Sequence, residues 1–203
     1  SLQKFTGMFR HSALVKNIDA TDTSILSNVT TVKLYKYFAP TLNSALKYTI
    51  SYNNAFYNPH SEHNKSAGGI VSSTGFKIND DSSANEHFLD DDGSGNLRTY
   101  YLVAGVRTYT DSTAGTVTYS TGKIVTDGIY ITSVAEVDGA TSTEIRITAV
   151  PDSKDIVPVR NQIVEIDFIN TSVTGEVDTV SVADSAAGTT YTPTSSYTTT
   201  SSY

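Results

Sequence analysis

Between residues 115 and 168 apolar side chains return at every second position in three separate places: Val117 and Tyr119; Ile145, Ile147 and Ala149; Val164, Ile166 and Phe168. Thr, Arg, Glu and Asp fill the positions between them. A period of two sends one set of side chains to a buried face and the other to water, so these segments read as half-buried antiparallel strands. They form the expected β core. Ser and Thr make up more than a quarter of the chain, Tyr outnumbers Phe, and there is no Trp. Thr and Tyr suit a pleated, half-solvated surface.

The first half carries the same signal less regularly. Val32 and Leu34 alternate with Lys33 and Tyr35, and Leu46, Tyr48, Ile50 and Tyr52 alternate with Lys47, Thr49 and Ser51. Phe76 and Ile78 predict another short strand, and 100–103 and 106–109 two more. Asn53-Asn54, Thr121-Gly122 and Asp127-Gly128 are turn candidates, because these residues tolerate positive φ. Helices are expected only near the amino end. Ser12 is placed to cap one containing Leu14, Val15 and Ile18, and Asp22 a second with Ile25, Leu26 and Val29. Residues 79–96 are the most acidic stretch and read as a long loop between two lobes. The expected class is therefore α+β, mostly antiparallel β, with short helices near the N-terminus and two lobes. The expected divisions are 1–90, an N-terminal lobe of short helices and strands; 91–178, an antiparallel β domain; and 179–203, a Ser/Thr/Tyr-rich tail. That tail, with Tyr191, Tyr197 and Tyr203 six apart, has no hydrophobic face of its own, so partner chains are expected to order it through these tyrosines.

Charge and composition exclude several classes. A net charge of −7 argues against a phosphate-backbone partner, so no nucleic acid is expected. Without cysteine there is neither a disulfide framework nor a thiolate metal site. No run of about 18 apolar residues is present, so no membrane insertion is expected. A start at Ser1, without Met or a leader, points to a processed chain or a fragment.

Candidate chemistry is sparse. Asp90, Asp92, Ser94, Gly95, Asn96 and Leu97 follow the first eight positions of a Ca²⁺ loop, but Tyr101 stands where a bidentate Glu is needed, so an acidic turn is expected. His60 and His63, with Glu62 between them and Glu86-His87 later, lack an element to fix metal geometry and read as loop histidines. Asp152, Asp155, Glu165 and Asp167 form an acidic cluster that could support acid–base work only in a desolvating cleft; Glu165 and Asp167 sit on the polar face of an expected strand. No Ser lies in a nucleophile elbow, and Gly93-Ser94-Gly95 is not followed by a phosphate-loop Lys. No catalytic, cofactor-binding or metal-binding residue is assigned, no cofactor is expected, and the chain does not read as an enzyme.

Three stretches carry a family resemblance. The first is Phe5-Thr-Gly-Met-Phe-Arg-His-Ser-Ala-Leu-Val-Lys-Asn-Ile-Asp19, continuing through Ser24-Ile-Leu-Ser-Asn-Val-Thr-Thr-Val-Lys33. The second is Lys47-Tyr-Thr-Ile-Ser-Tyr-Asn-Asn-Ala-Phe56, followed by Ser73-Thr-Gly-Phe-Lys-Ile78. The third is Val150-Pro-Asp-Ser-Lys-Asp-Ile-Val-Pro-Val-Arg-Asn-Gln-Ile-Val-Glu-Ile-Asp167. In this order they resemble the C-terminal part of the baseplate wedge protein, the gene six product, of T-even-like contractile-tail phages, over most of residues 5–178. The resemblance implies a structural virion protein, assembled in the host cytoplasm, whose amino-terminal half is missing here. Its implied partners are a second copy of itself and other wedge and tail proteins. They form an inner baseplate ring that relays the contraction trigger to the sheath. A different class also fits the composition: a carbohydrate- or receptor-binding β-sandwich of a fibre or spike, with Tyr100, Tyr101 and Tyr109 as an aromatic platform.

Overall fold

The computed structural model describes residues 7–59, 69–158 and 163–176. The chain divides into two compact units, Ser1–Glu165 and Ile166–Tyr203. The first is one antiparallel sheet, preceded by a helix, α1 (His11–Asp19). Its strands are β1 (Leu34–Phe38), β2 (Ala45–Leu46), β3 (Thr49–Ser51), β4 (Val71–Ser73), β5 (Phe76–Ile78) and β6 (His87–Asp91). There follow β7 (Asn96–Val103), β8 (Val106–Thr118), β9 (Lys123–Thr126), β10 (Ile129–Val134) and β11 (Ile145–Ala149). The main path runs β1-β11-β4-β6-β7-β8-β9-β3, while β5 joins β6 to β10 and β10 carries β2.

The sheet curls until its two ends face each other, giving a nearly closed barrel. Side chains lace the seam. Lys36 on β1 donates from Nζ to the Ser51 carbonyl on β3 at 2.7 Å, and the Tyr52 hydroxyl donates to the Ile147 carbonyl on β11 at 2.6 Å. An inward lysine on an edge strand also discourages a foreign strand from adding there. Inside lie Ile50, Phe76, Leu89, Leu97, Ile124, Ile131 and the alternating Ile145, Ile147 and Ala149, all buried. The period-two reading of β11 is thus realised.

Several expectations are corrected. The boundary placed near residue 90 falls inside β6, which pairs with β4, β5 and β7, so the sheet runs through it and two lobes are not formed there. The break in the chain comes instead between Glu165 and Ile166. Residues 87–91, read as acidic loop, are a strand, because Asp90 and Asp91 find donors that arrive from distant segments. Val164, Ile166 and Phe168 do not form a strand, and Phe168 is 81% exposed. The strand expected across 46–52 breaks at Lys47-Tyr48, where the chain changes partner from β10 to β9. The second helix is absent. Asp22 instead makes a turn, accepting from the Ser24 amide at 2.8 Å, with Ile25 N–H bonded to its carbonyl. Ser12 does not cap α1: Arg10 holds the N-cap position without a side-chain bond. The cap comes from far along the chain, where Asp155 Oδ1 accepts the His11 amide at 2.8 Å.

The β8–β9 pairing has no room for a side chain at residue 115. A Cβ on Gly115 would lie 2.2 Å from the Val125 carbonyl oxygen and 2.8 Å from Thr126 Cα, both backbone atoms that no rotamer change can move. Gly115→Ala is therefore expected to cost about 3 kcal/mol, as an overpacked core site does. Urea denaturation followed by circular dichroism measures it, and an unchanged midpoint would show that the two strands do not approach this closely.

Candidate functional site

The chemistry-bearing residues of the sheet gather on β6, β7 and β8. Alternation along β6 sends His87, Leu89 and Asp91 to the inner face and Phe88 and Asp90 to the outer one. Three consecutive aspartates therefore enter three environments.

Asp90 is 1% exposed. Arg98, directly opposite on β7, donates Nε to Oδ1 at 2.8 Å and Nη2 to Oδ2 at 3.1 Å. The Tyr109 hydroxyl adds a bond to Oδ2 at 2.9 Å, and Arg107 Nη1 stands 3.3 Å from the same oxygen. The guanidinium of Arg98 covers the Tyr109 ring at 4.3 Å and that of Arg107 covers the Tyr100 ring at 4.9 Å, while Tyr100 stacks on Phe88. Burial pushes the Asp90 carboxyl above its ordinary value, and the bonds from Arg98 and Tyr109, with the charges of Arg98 and Arg107, bring it only part of the way back. Burial likewise raises Tyr100 and Tyr109.

Asp91 faces inward. Its Oδ1 accepts the Val71 amide at 2.8 Å and its Oδ2 accepts the Tyr119 hydroxyl at 2.6 Å. Burial, then the bond to Asp91, raises the Tyr119 phenol. Asp92 closes the turn to β7: its Oδ1 accepts the Ser94 and Asn96 amides and its Oδ2 the Asn96 side-chain amide. Residues 92–95 thus form the turn between β6 and β7, while Asp90, Asp91, Asn96 and Leu97, expected in the same acidic turn, belong to the strands. Among the described residues no group of three or more His, Cys, Asp or Glu could hold a metal ion.

This cluster roots a projecting arm. β6 pairs with β7 only as far as Tyr101, and β9 pairs with β8 only over 115–118. Past Tyr101 the β7–β8 hairpin runs on without β6 for two residues of each strand, Leu102-Val103 and Val106-Arg107, to a turn at Ala104 and Gly105, both at positive φ, while β8 carries two bulges on the sheet side, between Tyr109 and Gly115. Leu102, Val103 and Val106 at its tip are exposed, Val106 by 68%. Below the arm, a groove of about 480 Å³ is lined by Thr99, Tyr101 and Tyr130 with Asp80, Asp81 and Asp111.

The remaining candidates are dispersed. Tyr100 is 8% exposed on the outer face and Tyr101 lies against His87 on the inner one, so the two share no stacking platform. His87 is wholly buried; Nδ1 pairs with the Asn85 carbonyl, and Nε2, 3.9 Å from Asp81 Oδ2, has no hydrogen-bond partner. Asp155 is committed to α1, Asp152 is exposed, and Asp167 holds its own turn by accepting the Ile169 and Asn170 amides. That turn leaves Phe168 and Ile169 exposed. His60, His63, Tyr191, Tyr197 and Tyr203 lie outside the described residues. The Asp90–Arg98 pair escaped sequence reasoning, although the eight-residue separation across a Gly-rich turn is the signal that could have found it.

Compared with known families, curated proteins and solved structures, the chain matches none.

Two outcomes follow from the cluster. Arg98→Met leaves a buried carboxylate with too little compensation and is expected to lose about 3–5 kcal/mol, whereas adding Asp90→Leu recovers most of it; chemical denaturation of the two variants checks this. Asp92 runs the other way with pH. Desolvation raises its carboxyl, but the bonds from Asn96 and Ser94 and the Arg98 charge outweigh it, so its folded value lies below 3.8. Its contribution is fully present above pH 3.8 and is lost as the pH falls through that lower folded value. Asp92→Asn is expected to lose less stability than the parent between neutral pH and pH about 3. Equal losses would show that Asp92 is not a source of the acid sensitivity.

Proposed function

We propose that the chain is a structural subunit of a contractile phage tail baseplate, a wedge component that joins the inner ring through self-association and contacts between wedges. In this reading it carries the contraction trigger toward the sheath by transmitting displacement through its contacts. The three-stretch resemblance suggests the role. The observation that carries it is the contrast at the β7–β8 arm: polar groups at the root are consumed by one another, while apolar side chains at the tip are left open. A carboxylate whose oxygens are filled by Arg98 and Tyr109 is a poor proton acceptor for a guest. An exposed apolar tip on a braced hairpin gains stability when a neighbour covers it. The Phe168-Ile169 turn in the second unit offers a further apolar contact, with Val173 also exposed.

Light scattering on the purified chain, alone and mixed with purified tail components, tests the proposal. Self-association or co-assembly is expected. The pair Leu102→Glu and Val106→Glu, both at exposed positions, should abolish co-assembly while leaving the melting temperature within a few degrees of the parent. A chain that stays monomeric and ignores every tail component overturns it.

A further inference from the structure

The amino end forms a hook of its own. After α1 the chain turns at Asp22 and comes back, and the returning segment is tied to the helix. Asn28 donates from its side-chain amide to the Val15 carbonyl and to Asp19, and the His11 ring contacts the Thr30 carbonyl. Among the described residues, hydrogen bonds between the hook and the rest of its unit gather at one place. Phe9 and Ile156 exchange both backbone hydrogen bonds, at 2.9 and 3.0 Å, and Asp155 accepts the His11 amide. No residue of α1 is buried. Residues 31–33, between the hook and β1, adopt neither helix nor strand.

We infer that this hook is exchanged between two copies of the chain, so that residues 8–11 of one copy pair with 155–157 of the other. The tie itself points to a second copy. An antiparallel backbone pair beside a carboxylate placed for a helix amide is a specific receptor, and an identical chain presents the same receptor. Exchange reproduces every bond of the closed form and alters only the course of 31–33, so the balance rests on the new surface between copies. Apolar residues stand exposed around the crossing: Met8 and Val157 beside the tie, Leu26 and Val29 on the hook, Val29 by 96%. In the closed chain they face water, and a two-fold crossing brings a second set of the same residues next to them. This inference rests on the assembly reading and names both the partner and the element it shares.

The chain has no cysteine, so an introduced pair reports alone. Met8→Cys with Val157→Cys places thiols at exposed positions flanking the Phe9–Ile156 bridge. After oxidation at increasing protein concentration, denaturing gels without reductant are expected to show a covalent dimer as the main product, and light scattering twice the chain mass. Phe9→Cys with Ile156→Cys repeats the measurement at the bridge, and circular dichroism confirms that either variant is folded. A link formed only within one chain in a protein that is nonetheless dimeric overturns the exchange and leaves the assembly reading standing. An internal link in a strict monomer overturns the exchange and counts against self-association as well. Absence of any link overturns the tie on which the exchange depends.

Discussion

The outer face of the sheet depends on one buried ion pair, Asp90 with Arg98. Removing two charges from water is expensive, and mutual attraction rarely returns the whole cost. Burial raises the Asp90 carboxyl against the bonds from Arg98 and Tyr109 and the charges of Arg98 and Arg107, in keeping with that cost. The pair also bears on register. Shifting β6 by one residue would carry Asp90 to the inner face and Asp91 to the outer, because strand side chains alternate. Asp91 has the Val71 amide and the Tyr119 hydroxyl waiting inside, and Asp90 has a forked guanidinium waiting outside. Neither set of donors suits a misaligned strand. Polar partners and the inward alternation of His87 and Leu89 thus specify the same alignment, and agreement between levels of this kind narrows a chain to one structure.

From that alignment the arm follows. Arg98 and Tyr109 stack at its root, and Tyr100 is held between Phe88 and Arg107, so both strands of the hairpin are braced where they leave the sheet. Beyond this point β8 has a neighbour on one side only, a position in which a plain strand would invite edge pairing. Its two bulges and its charged residues Arg107 and Asp111 disrupt the regular ladder that a foreign strand would need. At the tip the exposed side chains, Leu102, Val103 and Val106, are apolar.

Much of the sheet could be read from periodicity. β11 obeys the alternation, and β5 and β7 cover the places where the pattern put strands; the hairpin expected at Asp127-Gly128 is not formed, since β9 pairs with β3 and β8 and β10 with β2 and β5. Three segments could not be read, each for a physical reason. β6 was hidden because acidic residues default to water, and the donors that allow their burial come from Arg98, Tyr109 and Tyr119, up to 28 residues away. The segment 163–168 misled in the opposite sense: alternation is necessary for a half-buried strand, but without a partner ladder it leaves Phe168 in solvent. The start of α1 was misplaced because its cap is tertiary, supplied by Asp155 across 144 residues. For β6 and α1 the deciding hydrogen bonds include partners 19, 28 and 144 residues away, while 163–168 is decided by the lack of a partner strand.

That same distinction bears on what kind of work the chain is built for. A group that acts on a guest must keep a lone pair or proton directed at accessible space. Here the carboxylates with the deepest burial have theirs taken by neighbouring strands. Among the described residues the buried side-chain atoms without a partner are Asn58 Oδ1 and His87 Nε2. The His87 nitrogen is sealed in the core behind Asp81, whose own oxygens are engaged by Ser83 and Asn85. Exposed apolar side chains lie at the arm tip, on the hook and in the Phe168-Ile169 turn. Water is a poor partner for such surface and another protein a good one. Covering those side chains would lower the free energy of the molecule.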